Sequence, residues 1–113
     1  MTMTNQKFNA CIEACNACVT TCNHCAASCL LESDVKMMAR CIALDIDCAQ
    51  ICALAAAAMA RASENSKAIC TACADVCEQC GAECAKHQMA HCQECARACM
   101  RCAKECRNMA TMS

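Results

Sequence analysis

The sequence predicts an all-α chain folded as an antiparallel, up-down-up-down four-helix bundle with cysteines lining the core. Three observations lead there. Cysteines recur at alternating intervals of three and four in the runs Cys11, Cys15, Cys18, Cys22, Cys25, Cys29; Cys70, Cys73, Cys77, Cys80, Cys84; and Cys92, Cys95, Cys99, Cys102, Cys106. That spacing averages about 3.5, the period of a helix seam facing a packed interior. The chain has one glycine and no proline, so little interrupts its helices. The breaks between periodic stretches are brief, and short connections force antiparallel neighbours. The 113 residues suit a single domain, 1–113.

The first helix, about 5–31, carries the six-cysteine run. The second, about 34–61, follows Glu32-Ser33-Asp34, which offers an N-cap and an early acidic residue. Its seam reads Met38, Cys41, Asp45, Cys48, Cys52, Ala55, Met59, with only three thiols. Its other faces carry Ile42, Leu44, Ile46, Ile51, Leu54 and several alanines. A helix apolar all round is buried on more than one side. In a four-helix bundle the second burial comes from another copy, so residues 42–58 predict a homo-oligomer. The third helix, about 65–86, follows Ala62-Ser63-Glu64-Asn65-Ser66, a similar capping segment. Gly81 lies inside it at a cost of about 1 kcal/mol relative to alanine, and nothing in the sequence explains it. The fourth, about 89–109, is placed from the cysteine rhythm because Lys86-His87-Gln88-Met89 caps weakly.

Composition excludes several classes. Ten Lys+Arg balance eleven Asp+Glu with no basic block, which argues against nucleic acid. No membrane span is expected: Cys41 to Ala60 carries Asp45, Asp47 and Gln50, and the clean part is shorter than the ~20 residues needed. So many cysteines usually mark a secreted disulfide scaffold. Such scaffolds are rich in loops, however, and Met1 to Lys7 holds neither an apolar signal core nor a twin arginine. Helical neighbours at i,i+3 or i,i+4 also hold Cβ atoms about 5–6 Å apart, against roughly 3.5–4.5 Å in a disulfide. An odd count of nineteen would also leave one thiol unpaired in any monomer, and a reducing cytoplasm fits these facts.

One cysteine in a seam usually just packs as a small hydrophobe. Nineteen reverse that reading, because leucine or isoleucine would bury more apolar area. Soft thiolates select Cu(I), zinc and iron–sulfur clusters. The six C-x-x-C pairs lie in helical runs without knuckle loops, and the ferredoxin spacing is absent. A four-thiolate zinc site also leaves net negative charge, which is costly when buried many times over. Cu(I) at about one ion per thiolate is nearly neutral and needs only two or three sulfurs. The pattern therefore points to multiple Cu(I) ions along the core.

The breaks near 32 and 88 share one end of the predicted bundle, a candidate mouth with Met37, Met38 and Met89. His87 follows Cys84 by three residues, in register with the seam, and His91 sits beside Cys92. Each is a candidate Cu(I) relay or an exposed loop histidine, and the second description suits His91 better. His24 lies off the seam and reads as surface or interface. Asp45, one turn from Cys41, either supplements a copper site or is a partly solvated acid. Phe8, Met59, Ile69 and Met109 form a candidate apolar plug at the far end.

The segments Cys11-x3-Cys15-x2-Cys18-x3-Cys22-Asn23-His24-Cys25-x3-Cys29, Cys41-Ile42-Ala43-Leu44-Asp45-x2-Cys48-Ala49-x-Ile51-Cys52-Ala53-Leu54 and Cys92-x2-Cys95-x3-Cys99-x2-Cys102-x3-Cys106 resemble the bacterial copper storage proteins over nearly the whole chain. Without the twin-arginine signal of exported members, the sequence is similar to the cytosolic branch. The resemblance implies a four-helix bundle, a tetramer, and storage of many Cu(I) ions with all nineteen cysteines as ligands. For His87, His91 and Asp45 it implies only a polar cluster near the mouth. The implied role is buffering and protection, with copper enzymes or a chaperone as unspecified exchange partners. A metallothionein-like zinc and cadmium scavenger and a thiol–disulfide redox protein are the alternatives. No enzyme is expected, because the Glu-x-x-His pair of di-iron bundles is missing.

Overall fold

The alternating cysteine seams make helices that pack on one another. The computed structural model describes residues 2–111, with side-chain surroundings from residue 8 onward; Met1, Met112 and Ser113 of the expected 1–113 unit lie outside the described residues. It contains α1 (Thr2–Cys29), a 3-10 turn (Val35–Met38), α2 (Ala39–Ala60), α3 (Ser66–Ala85) and α4 (Ala90–Thr111). There is no strand among the described residues. Helix α1 packs on α2 and α4, and α3 packs on α4 and α2, so each helix flanks its sequence neighbours and the ring closes between α4 and α1. The bundle measures 49 × 19 × 18 Å, a long narrow tube as expected from helices of 20–28 residues.

The helix ends correct the sequence expectation in detail. Helix α1 stops at Cys29 rather than 31, because the Leu31 N–H turns back to the Ser28 carbonyl and the Glu32 N–H to that of Cys29. Asp34 makes no side-chain cap; it precedes the 3-10 turn, and α2 starts only after Met38. Asn65 precedes α3 without a side-chain cap as well. The turn is organised instead by Ser63, whose Oγ accepts from the Asn65 N–H and whose carbonyl accepts from Ser66 Oγ. Helix α2 ends through Ala62 in the left-handed region at φ 53°. The Ser63 N–H there returns to the Ala58 carbonyl, a six-to-one helix stop.

All seven residues of the expected second seam are buried, Met38 at the end of the 3-10 turn and the other six in α2. The segment Val35–Ala60 is long and apolar enough to cross a membrane, contrary to the expectation from its acids. Cysteine and alanine raise its hydropathy, and its buried seam marks it as a core helix. Its outer face leaves Ile46 45% and Leu54 49% exposed. At the end remote from residue 32, Phe8, Met59 and Met109 are buried and Ile69 is partly buried against the core, the four apolar residues expected of a plug.

Gly81 acquires a reason here. A Cβ at that position would lie 2.8 Å from Met100 Cε and 3.2 Å from Cys99 Cβ, so α3 and α4 approach closely at this point. The Met100 tip is flexible and can swing away, whereas Cys99 Cβ is anchored to the α4 backbone. Gly81→Ala is expected to change the stability of the metal-free protein by less than about 1 kcal/mol, as helix propensity offsets the crowding. Gly81→Val should cost about 2–3 kcal/mol, because a branched side chain must move Cys99 itself. Urea denaturation of the reduced protein measures both.

Candidate metal centre

Because each seam faces three others, the thiols meet across helices as well as along them. All nineteen cysteines are free and buried. Sulfur contacts run the length of the tube, from Cys25 with Cys92 at 3.9 Å, through Cys22 with Cys95 at 3.6 Å and Cys48 with Cys77 at 3.5 Å, to Cys11 with Cys106 at 3.6 Å. Contacts along one helix, such as Cys18 with Cys22 at 3.7 Å, join successive layers. Four-sulfur groups with all sulfurs within 4.8 Å of one another include Cys25/Cys29/Cys41/Cys92, Cys22/Cys80/Cys95/Cys99, Cys18/Cys22/Cys48/Cys99, Cys18/Cys48/Cys52/Cys77 and Cys15/Cys73/Cys102/Cys106. A tetrahedral zinc site with bonds of about 2.3 Å has sulfur separations of about 3.8 Å, so any one group could hold zinc. The groups overlap, however, with Cys18, Cys22, Cys48 and Cys99 each belonging to two. Filling neighbouring groups therefore requires bridging sulfurs, an arrangement suited to soft monovalent ions.

Asp45 takes the place of one sulfur in the α2 seam. It is fully buried, which removes the partly solvated alternative. Its Oδ1 accepts from the thiols of Cys80 at 3.1 Å, Cys95 at 3.3 Å and Cys84 at 3.4 Å, and its Oδ2 lies 3.9 Å from Cys41 Sγ. Burial, reinforced by the neighbouring sulfur of Cys95, pushes its pKa up to about 10. Asp45 is thus a neutral acid in the metal-free protein near pH 7, and the sulfurs continue beside it from Cys41 to Cys84 at 3.5 Å and from Cys84 to Cys80 at 4.0 Å.

At the Cys25/Cys29/Cys92 end the two histidines point to different partners. His91, near the start of α4, points Nδ1 at Cys25, Cys92 and Cys29, with N···S distances of 3.5, 3.6 and 3.9 Å. Its Nε2 bonds Glu32 Oε2 at 2.9 Å. His87 lies beyond the last turn of α3, so the seam register no longer steers it. Its one described side-chain bond joins Nε2 to Glu83 Oε2 at 3.0 Å. Glu83 also accepts from Arg40 at 2.7 Å and Lys86 at 3.4 Å. The His87 hydrogen bond, aided by these cations, holds the Glu83 carboxyl below its usual range despite burial. His24 is exposed, with its Nε2 3.5 Å from Ser28 Oγ, as expected of a surface residue. Met38 is buried and Met37 is 65% exposed. Sequence reasoning missed Glu32, Glu83 and Arg40. Glu83 was detectable as an i,i+4 partner of His87, but no local pattern links Glu32 to a histidine 59 positions away.

Burial also raises the thiols of Cys29 and Cys92, the latter to about 11. Both are protonated at neutral pH, so a metal entering here must displace protons. The raised Asp45 pKa sets a stability window. Its contribution is fully present below the ordinary aspartate value near 3.8 and is lost progressively as pH rises toward about 10. Asp45→Asn keeps the acceptor and removes that titration. The variant is therefore expected to exceed wild type in metal-free stability by at least ~1 kcal/mol at pH 8, with the gap closing toward pH 4. Thermal unfolding of reduced protein across that pH range measures it.

Comparison with known proteins agrees with this geometry. The family model described as "Copper storage protein" matches residues 4–111. The cysteine-rich protein YhjQ of Bacillus subtilis is 54% identical over 82 residues, covering 73% of this chain and 76% of that protein. The Cu(I)-bound copper storage protein BsCsp3 of Bacillus subtilis superposes with a TM-score of 0.89 at 54% identity, covering 92% of this chain and 98% of that one. A cytosolic copper storage protein from Streptomyces lividans, solved with five coppers, gives a TM-score of 0.93 at 35% identity, covering 100% of this chain and 99% of that one. This cysteine-lined four-helix bundle belongs to the copper storage protein family.

Proposed function

We propose that the chain stores and buffers Cu(I), taking up many ions along its thiol column and holding them away from water. The observation that carries this reading is the continuity of sulfur contacts through the bundle, with three overlapping four-sulfur groups at its centre joined to those at either end by Cys52–Cys102 at 3.7 Å and by Cys41–Cys84–Cys80 at 3.5 and 4.0 Å. Isolated sites would suit a few divalent ions. Shared sulfurs suit a chain of Cu(I)–thiolate units, each nearly neutral, with all nineteen cysteines as ligands. The chain acts as a single domain and as a binding protein rather than a catalyst. The relatives bound to Cu(I) or loaded with five coppers support copper as the cargo, and the cytosolic Streptomyces relative supports a cytoplasmic location.

His91 acts as the relay at the mouth, because its Nδ1 already lies among three sulfurs. Asp45 receives ions at the next level, where it touches four thiols. His87 acts indirectly, as part of the Glu83 network. The chain assembles as a homotetramer through α2, where the exposed Ile46 and Leu54 seek cover. A copper chaperone or copper enzyme exchanges copper with the store.

Anaerobic titration with Cu(I) against a chromophoric chelator should give many equivalents per chain, approaching one per thiol. Saturation at two or three ions would sink the storage reading. Cu(I) should also displace prebound Zn(II), whereas retention of zinc would favour a scavenger of divalent metals. For the assembly, Ile46→Glu combined with Leu54→Glu should yield monomers by analytical ultracentrifugation with the helical content unchanged. A variant that stays tetrameric would move the interface elsewhere.

A further inference from the structure

We propose that Glu32 is a positioning residue for copper entry: its carboxylate holds the Nε2–H of His91 and thereby presents the Nδ1 lone pair to Cys25, Cys29 and Cys92. The proposal rests on the reading of His91 as relay and adds what orients it. A carboxylate only accepts hydrogen bonds, so the imidazole nitrogen 2.9 Å from Glu32 is the one bearing the proton. The other nitrogen of a neutral ring then carries the lone pair, and it is this atom that faces sulfurs at 3.5, 3.6 and 3.9 Å. A carboxylate behind a ligating histidine fixes its tautomer, restrains ring rotation and raises its basicity.

Glu32 is itself held in place. Its N–H bonds the Cys29 carbonyl in the tight turn that closes α1. The acid behind the ring and one of the sulfurs in front of it therefore ride on the same turn, and the ring is clasped from both sides. His87 provides an internal contrast. It has an equivalent Nε2–carboxylate bond to Glu83, yet no sulfur is among its described hydrogen-bond partners, and Glu83 is also engaged by Arg40 and Lys86. A carboxylate partner alone does not make a relay. The combination of acid on one nitrogen and thiols on the other occurs at His91.

The test compares Glu32→Leu, Glu32→Gln and His91→Ala in the full-length, reduced, metal-free protein. Transfer of the first equivalent from Cu(I)–bicinchoninate is followed by anaerobic stopped flow. Glu32→Leu should slow that transfer about tenfold while leaving total capacity unchanged. Glu32→Gln should restore most of the rate, because its amide oxygen accepts the same Nε2–H. Side-chain 15N spectra should show Nδ1 unprotonated in wild type and Glu32→Gln, with mixed tautomers in Glu32→Leu. A wild-type rate in Glu32→Leu beside a slow His91→Ala overturns the positioning role and leaves the relay standing. A wild-type rate in His91→Ala overturns both. A slow Glu32→Leu that keeps the wild-type tautomer makes Glu32 only a staple between the α1–α2 link and α4, and overturns the proposal.

Discussion

Everything in this bundle depends on packing cysteine side chains against one another out of reach of water. Sulfur contacts of 3.5–4.0 Å run across and along the helices, so the core is at once the packing interior and the ligand supply. A leucine core would bury more apolar area but could hold no metal. The cysteine core accepts a weaker hydrophobic drive, which is why the remaining contacts matter. Small side chains require close helices, and Gly81 against Met100 and Cys99 marks how close α3 and α4 come.

Polar groups in such an interior are expensive unless paired, and they are concentrated toward one end. Asp45 meets its cost by staying protonated and accepting three thiols at a single oxygen. Glu83 meets it with charge, drawing on His87, Arg40 and Lys86. Glu32 and His91 lie between these limits, partly shielded at the rim. The opposite end is closed by Phe8, Met59 and Met109. The tube therefore has a chemical polarity: proton-bearing and exchangeable groups at one end, apolar closure at the other.

Helix α2 supplies fewer thiols and does more packing. It places Asp45 in the seam, and its outer face carries the exposed Ile46 and Leu54. A helix that is apolar on its inner and outer sides resembles a membrane span by composition. The buried thiols and acid along its seam are instead matched to the other three helices. Association through its outer face would leave both ends of the tube free, so assembly and metal exchange need not compete.

The bundle and its thiol-lined seams were legible in the sequence because they follow from period alone: a cysteine every three or four residues on a helix has one face on which to lie. The plug was legible for the same reason, once the helices alternate in direction. The surroundings of the two histidines were not. His87 continues the α3 seam on paper, but the helix ends before it and the side chain turns to Glu83. His91 reaches the sulfurs of α1 from α4, and its partner Glu32 comes from the link after α1. The state of Asp45, buried and protonated, likewise depends on thiols from α2, α3 and α4 closing around it. Periodicity along one helix thus determined the thiol-lined core by itself. The contacts at the His91 end were decided only by tertiary structure, because they join helix ends distant in sequence, where the period no longer dictates where a side chain points.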